Sequence, residues 1–171
     1  MRPAVRDRWP CAAEALCTLF DGLFLEAERT QLRGGASEPL FCPGFGAAPA
    51  VIYFRFDYQA SALHEVAHWC LAGARRRQRV DYGYWYVPEG RDAAQQAAFF
   101  AVEAAPQALE SLFCEALGVP FAPSVDNPGA LAPGMAPFLT ALDEHRQRWR
   151  AMGLPSRAAR FRDALAALRP S

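Results

Sequence analysis

The segment 61–77, "SALHEVAHWCLAGARRR", contains two histidines four residues apart, with a glutamate beside the first. Each residue of an α-helix advances by about 100°, so His64, Glu65 and His68 fall within one arc of about 100°. Two imidazoles one turn apart can bind a single metal ion, as in the H-E-x-x-H helices of metalloproteases. We therefore predict that His64 and His68 are metal ligands.

A mononuclear catalytic site needs a third protein ligand. The remaining histidine, His145, lies in the charged stretch "DEHRQRWR", which is typical of a solvated helix face. We expect Glu103 to be the third ligand, because a carboxylate in a segment otherwise poor in charge needs a partner. Glu110, seven residues further along the same helix face, is the alternative ligand or a partner for a histidine N–H. The plainest interpretation makes both of them ordinary helix-surface acids.

Two histidines and one carboxylate leave the metal and the reaction open. With zinc they form a hydrolase site in which Glu65 is the general base for bound water, as in a zinc peptidase. With ferrous iron they form the ligand set of non-haem oxygenases, whose open positions accept molecular oxygen. A non-catalytic module with structural zinc ranks last, because such zinc usually has four protein ligands, often cysteines, and no such set surrounds this helix.

An arginine run follows the histidine helix at Arg75, Arg76 and Arg77. It is either a solvated helix end, where cations complement the helix dipole, or a docking patch for an acidic partner. We include it among the candidate substrate-binding residues.

An aromatic segment with acidic neighbours comes next, "DYGYWYVPEGRD" at 81–92. Aromatic walls combined with acids suit a cationic aliphatic side chain, whereas the competing interpretation is aromatic packing in the core. We predict a substrate pocket here, formed by Tyr82, Tyr84, Trp85, Tyr86 and Asp92.

The composition narrows the class of protein. Of 171 residues, 52% are hydrophobic and 21% are charged, which is typical of a globular chain. The formal net charge is zero, so we expect neither direct nucleic-acid binding nor a membrane surface as partner. All 18 basic residues are arginine, which excludes a catalytic lysine.

The cysteines and the first residues predict a cytoplasmic protein. Five cysteines form an odd set without a C-x-x-C pair, and "MRPAVRDRWP" lacks the apolar segment of a signal peptide. We expect free thiols in a reducing compartment.

Periodicity predicts a mainly helical α+β fold in one domain, residues 1–171, with a small sheet and the H-E-x-x-H helix at its core. Segment 79–87 is either a strand or an aromatic loop, and Pro106 predicts a kink or a break in its helix. The predicted helices are 10–32, 59–73, 92–118, 135–152 and 156–168, the predicted strand is 51–56, and the predicted loops are 37–50 and 119–134.

Residues 58–121 closely resemble the elongation factor P hydroxylase family. Three motifs carry the resemblance: H-E-x-x-H-W-C-x-A-G, then D-x-G-Y-W-Y-x-P-x-G-R-D, then V-E-x-x-P-Q-A-L. It implies a metal-dependent hydroxylase that uses molecular oxygen, with Fe(II) as the expected metal and zinc as the alternative. It also implies a metalloprotease-like fold around the H-E-x-x-H helix.

The resemblance further implies elongation factor P as the protein partner, with the hydroxyl group added to its lysine that already bears a β-lysyl group. Carried onto this chain, it makes His64 and His68 metal ligands and Glu103, in the V-E motif, the third. Glu65 is then either a catalytic base or an acid of the pocket.

Overall fold

The computed structural model describes residues 9–84, 90–124 and 135–169. Short 3-10 turns at Arg76–Gln78 and Val80–Gly83 connect the second and third helices. The described residues confirm a mainly helical α+β fold with a small sheet. Its elements are α1 (Ala13–Glu28), β1 (Thr30–Ala36), β2 (Leu40–Cys42), β3 (Ala50–Arg55), α2 (Gln59–Leu71), α3 (Ala93–Leu117), α4 (Met135–Met152) and α5 (Ser156–Ala166).

Helix α3 begins and ends where its sequence predicts. The Asp92 carboxylate accepts a hydrogen bond from the Gln95 backbone N–H at 2.8 Å, and the Gln95 side chain accepts one from the Asp92 N–H at 2.9 Å. This capping box starts the helix, and Gly118 closes it at φ 79°. The prediction of two helices divided at Pro106 is wrong, because α3 is continuous. Burial of Pro106 and of the side chains around it holds the helix together, although proline leaves the Val102 carbonyl without its usual donor.

The first strand, β1, begins inside the predicted helix 10–32 and continues through residues 33–36, for which no element was predicted. Arg29 ends α1 early, in a left-handed conformation at φ 49°. Gly34 lets β1 lie close to β3 and to Phe56: a Cβ atom there would lie 2.7 Å from the Phe56 carbonyl oxygen and 2.8 Å from the Phe54 ring. Pairing with a distant strand decides this conformation, so local periodicity does not predict it.

The sheet has the strand order β1-β3-β2. Strand β3, predicted at 51–56, pairs in parallel with β1 and antiparallel with β2, which lies in the predicted loop 37–50. Ile52 and Phe54 on β3 and Phe41 on β2 are buried against the helices. The segment after α2 forms 3-10 turns, so the strand alternative for 79–87 is wrong over residues 79–84, and 85–87 lie outside the described residues.

Helix α2 is fixed on its back face by Trp69. The indole lies in a cluster with Phe20 and Phe24, at ring distances of 5.1 and 4.9 Å. The Arg157 guanidinium lies 4.5 Å above the indole and donates to the Ala72 carbonyl at 2.6 Å. Each fully buried aromatic side chain contributes roughly 1.5–3 kcal/mol, so this cluster anchors the helix with its histidine face turned away from the core. Helix α2 ends at Leu71, two residues before the predicted limit of 73, and Ala72 follows it in extended backbone.

The remaining composition-based expectations concern thiols and membranes. All five cysteines are free, as predicted, and burial raises the pKa of the Cys70 and Cys114 thiols to about 12. Within the described ranges, no helix has the length and apolarity that a bilayer span requires.

Candidate metal centre

Helices α2 and α3 bring three potential ligands together. Ligand atoms of His64, His68 and Glu103 all lie within 4.8 Å of one another. The two imidazole Nε2 atoms are 3.1 Å apart. One Glu103 oxygen lies 3.1 Å from His68 Nε2, and the other lies 3.4 Å from His64 Nε2. These residues could hold a metal ion.

The donor set fits a divalent metal. Bonds of about 2.0–2.1 Å from one ion to nitrogen and oxygen place neighbouring ligand atoms roughly 3.0–3.4 Å apart, depending on the coordination geometry. The spacings in this site, 3.1 to 3.4 Å, match that range. Two imidazole nitrogens and a carboxylate facing one another need a cation or shared protons between them, because their lone pairs otherwise repel.

The electrostatics of the centre are those of a cation site. Burial disfavours the charged form of His64, but the hydrogen bond and charge of Glu110, with the charge of Glu103, outweigh it and raise its pKa to about 10. Burial also opposes ionisation of Glu103, yet the hydrogen bond and charge of His68 and the charge of His64 lower its pKa to about 2. The carboxylate therefore stays ionised, and a metal ion would displace the protons of the imidazoles.

Two further residues of α3 contact the candidate ligands. Glu110 lies 2.9 Å from His64 Nδ1, so a proton on Nδ1 directed at this carboxylate leaves Nε2 free for a metal. The Gln107 amide donates to Glu103 at 3.3 Å and to the Ser124 carbonyl at 2.8 Å, and its own oxygen accepts from the Ser124 N–H at 3.0 Å. Gln107 thus connects the Glu103 carboxylate to the chain that follows α3.

A cavity of about 590 Å³ opens over the centre. Five acids line it, and Arg55 is the one arginine among its described lining residues. The cavity is therefore suited to a cationic ligand. The acids are Glu38, Glu65, Asp81, Glu103 and Glu110.

Glu65 lies on α2 between the two histidines and faces this cavity. Burial raises the pKa of its carboxyl group, with the charges of Glu103 and Asp81 adding to the effect and those of the histidines opposing it. A carboxyl group with a raised pKa beside a metal centre is suited to proton transfer.

The predicted aromatic pocket is partly described. Tyr82 and Tyr84 line the cavity, and the Tyr82 ring is stacked on Phe41 at 4.4 Å and parallel to the His68 ring at 6.4 Å. Trp85 and Tyr86 lie outside the described residues. Tyr82 is held at φ 59°, directly after Asp81 at φ 47°, an uncommon pair of left-handed residues.

Other predicted binding residues are engaged elsewhere. Asp92 caps α3 and is not among the described residues that line the cavity. Arg77 forms an ion pair with Glu28 at 2.8 Å, and Arg76 lies 4.2 Å over the Tyr84 ring while it donates to the Tyr82 carbonyl. Arg75 is exposed at the surface.

His145 lies on α4 and is half-buried beside Trp149, at a ring distance of 5.5 Å, so it is less solvated than predicted. It does not belong to the ligand group formed by the described residues.

The sequence interpretation missed Glu38 and Arg55 as lining residues, as well as the contact that Gln107 makes with Glu103. The contact between Gln107 and Glu103 could have been predicted, because the two residues are four apart on one helix. The places of Glu38, between β1 and β2, and of Arg55, at the end of β3, have no such local signal, because strand pairing sets both.

Comparison with known proteins agrees with this geometry. The family model described as elongation factor P hydroxylase matches residues 19–169. A curated protein from Haemophilus influenzae (strain ATCC 51907 / DSM 11121 / KW20 / Rd), named elongation factor P lysine hydroxylase, is 39% identical over 155 residues, which cover 90% of this chain and 87% of that protein.

Proposed function

The chain belongs to the elongation factor P hydroxylase family, and from that premise we propose that it is a metal-dependent protein-lysine hydroxylase acting on elongation factor P. The observation that carries the proposal is the convergence of His64, His68 and Glu103 at the floor of an acidic cavity. Neither comparison supports the zinc-peptidase alternative.

We propose Fe(II) as the metal, with His64, His68 and Glu103 as its ligands. Iron held by two histidines and one carboxylate supplies the activation of molecular oxygen that hydroxylation needs. Glu110 holds the His64 ring through Nδ1, and Gln107 holds the Glu103 carboxylate, so both act as positioning residues. Both lie on α3 and are buried, which keeps the ligand atoms in place before a metal binds.

The acidic cavity recognises the substrate. A lysine that already bears a β-lysyl group is long and cationic, and the cavity places several carboxylates along its path. Tyr82 and Tyr84 supply aromatic walls on which a cation and its methylene groups can pack. Glu65 accepts or donates a proton beside the reacting carbon. The five free cysteines suit a protein that works in the reducing cytoplasm.

Mass spectrometry of elongation factor P tests this function. Incubation of β-lysyl-modified elongation factor P with the iron-loaded protein, oxygen and an excess of a chemical reductant should add the mass of one oxygen atom to the modified lysine, while the two electrons of the reductant and two protons convert the other oxygen atom to water. The His64→Ala variant should add none, while its circular dichroism spectrum stays like that of the wild type. The function is wrong if the fully iron-loaded wild-type protein leaves the lysine unchanged.

A further inference from the structure

An exposed pair of aromatic rings lies directly after β3, beside the cavity-lining residue Arg55. Phe56 and Tyr58 are 43% and 48% exposed, and their rings form an edge contact at 5.4 Å. The Arg55 guanidinium lies 5.4 Å over the Phe56 ring, and Arg55 itself lines the cavity. We call these three residues the aromatic lip.

Exposed apolar side chains occur on the chain segments that line the cavity. The described residues include eight large hydrophobic side chains that are exposed, and four of them lie within two positions of a residue that lines the cavity. Isolated exposed apolar residues are ordinary, but a concentration around a functional opening marks a contact surface. The four are Leu40, Phe56, Tyr58 and Val80.

The backbone conformation at Phe56 is unfavourable for a phenylalanine. Phe56 has a φ of 46°, in the left-handed region that bulky side chains rarely adopt. Two backbone hydrogen bonds fix it there: the Gly35 N–H donates to the Phe56 carbonyl at 2.7 Å, and the Phe56 N–H donates to the Ala36 carbonyl at 2.9 Å. Glycine would fit this conformation better, so the fold alone does not explain a phenylalanine.

Tyr58 also occupies a position where another residue type would serve the fold better. It is the N-cap of α2, and its side chain makes no capping hydrogen bond. Serine, threonine, aspartate or asparagine would satisfy one of the free N–H groups of the first turn. Two neighbouring positions thus keep exposed aromatic rings against local preference.

We infer that the aromatic lip binds the polypeptide of the protein substrate beside its target lysine, an inference that rests on the proposed function. A lysine side chain that reaches the metal centre leaves its own backbone at the mouth of the cavity, and the lip is continuous with that mouth through Arg55. The segment that fits is extended and has small or apolar side chains that pack on the two rings. A carboxylate or carbonyl oxygen in it accepts hydrogen bonds from Arg55.

Two variants separate this role from a role in folding. Phe56→Gly removes a ring, and the relief of backbone strain offsets the flexibility of glycine. Tyr58→Asn removes the other ring and adds a capping side chain. Neither should lower the melting temperature. Each should raise KM for β-lysyl-modified elongation factor P, and its Kd by isothermal titration, about fivefold to tenfold, with kcat unchanged.

Phe45→Ala is the matched control, because Phe45 is 91% exposed and precedes β3 at the opposite end of the strand. It should change neither KM nor Kd. An unchanged KM and Kd in both lip variants overturns the inference, as does a lower kcat at unchanged KM, or a lower melting temperature in Phe56→Gly. If the wild-type protein binds the factor through the lip but does not hydroxylate it, the proposed function fails while the surface stands.

Discussion

The proposed metal centre lies in the cavity and the aromatic lip adjoins it through Arg55, yet the two regions are built in opposite ways. The centre lies on two regular helices, and each ligand contacts another ligand or a buried partner such as Gln107 or Glu110. The lip lies on a strand end and a helix start, where Phe56 and Tyr58 oppose local backbone preference. The difference follows from the two proposed roles. Metal binding requires ligand atoms at fixed positions, whereas polypeptide binding requires apolar rings that are exposed.

The largest expected effect is a loss of Fe(II) affinity that distinguishes the proposed ligand Glu103 from the histidine partner Glu110. Glu103→Ala removes a ligand and should weaken Fe(II) binding by more than the 10–100-fold typical of losing an outer partner, whereas Glu110→Ala should stay within about that range. Anaerobic titration calorimetry measures both affinities. If Glu110→Ala proves the more damaging of the two, Glu110 is the third ligand and the assignment of Glu103 is wrong.

A smaller effect is expected where Gln107 supports the Glu103 carboxylate. Gln107→Leu keeps the side-chain size but loses all three hydrogen bonds of the amide, so Fe(II) affinity should fall about 10–100-fold. Gln147→Leu is the matched control, because Gln147 donates to Asp143 four residues earlier on the exposed face of α4. Equal metal affinities in the two variants would show that Gln107 does not position the ligand.

The smallest of these effects is a change in the free energy of unfolding when Gly34, which lies against Phe56 of the aromatic lip, is substituted. Gly34→Ala pushes a Cβ atom against the Phe56 carbonyl and the Phe54 ring, and it should cost about 1–3 kcal/mol of unfolding free energy. Gly22→Ala in α1 meets no atom within 4 Å and should stabilise the protein by about 0.5–1 kcal/mol. Urea denaturation gives both values. Equal signs for the two variants would contradict the close approach of β1 to Phe56.

The candidate ligands could be predicted from the sequence better than the rim of the cavity. His64, His68, Glu103 and Glu110 lie on two helices that periodicity predicts, so their spacing alone predicts which side chains share a face. The juxtaposition of α2 and α3 is a matter of tertiary packing, and only the need of a buried carboxylate for a partner pointed to it.

The rim of the cavity could not be predicted in this way. β1 and β2 form through pairing with β3. The close approach of Gly34 to the Phe56 carbonyl depends on that pairing and has no signal in the local sequence. Asp81 and Tyr82 adopt consecutive left-handed conformations that the local sequence does not predict. Long-range contacts, rather than local propensity, set these backbones.

Anomalous diffraction from crystals of the iron-loaded protein, recorded on both sides of the iron absorption edge, tests the central claim most directly. We predict one iron peak within bonding distance of the Nε2 atoms of His64 and His68 and of a carboxylate oxygen of Glu103, with Glu110 bonded to His64 Nδ1 and not to the metal. An iron peak bound by Glu110 in place of Glu103, or located away from the two histidines, would contradict the account.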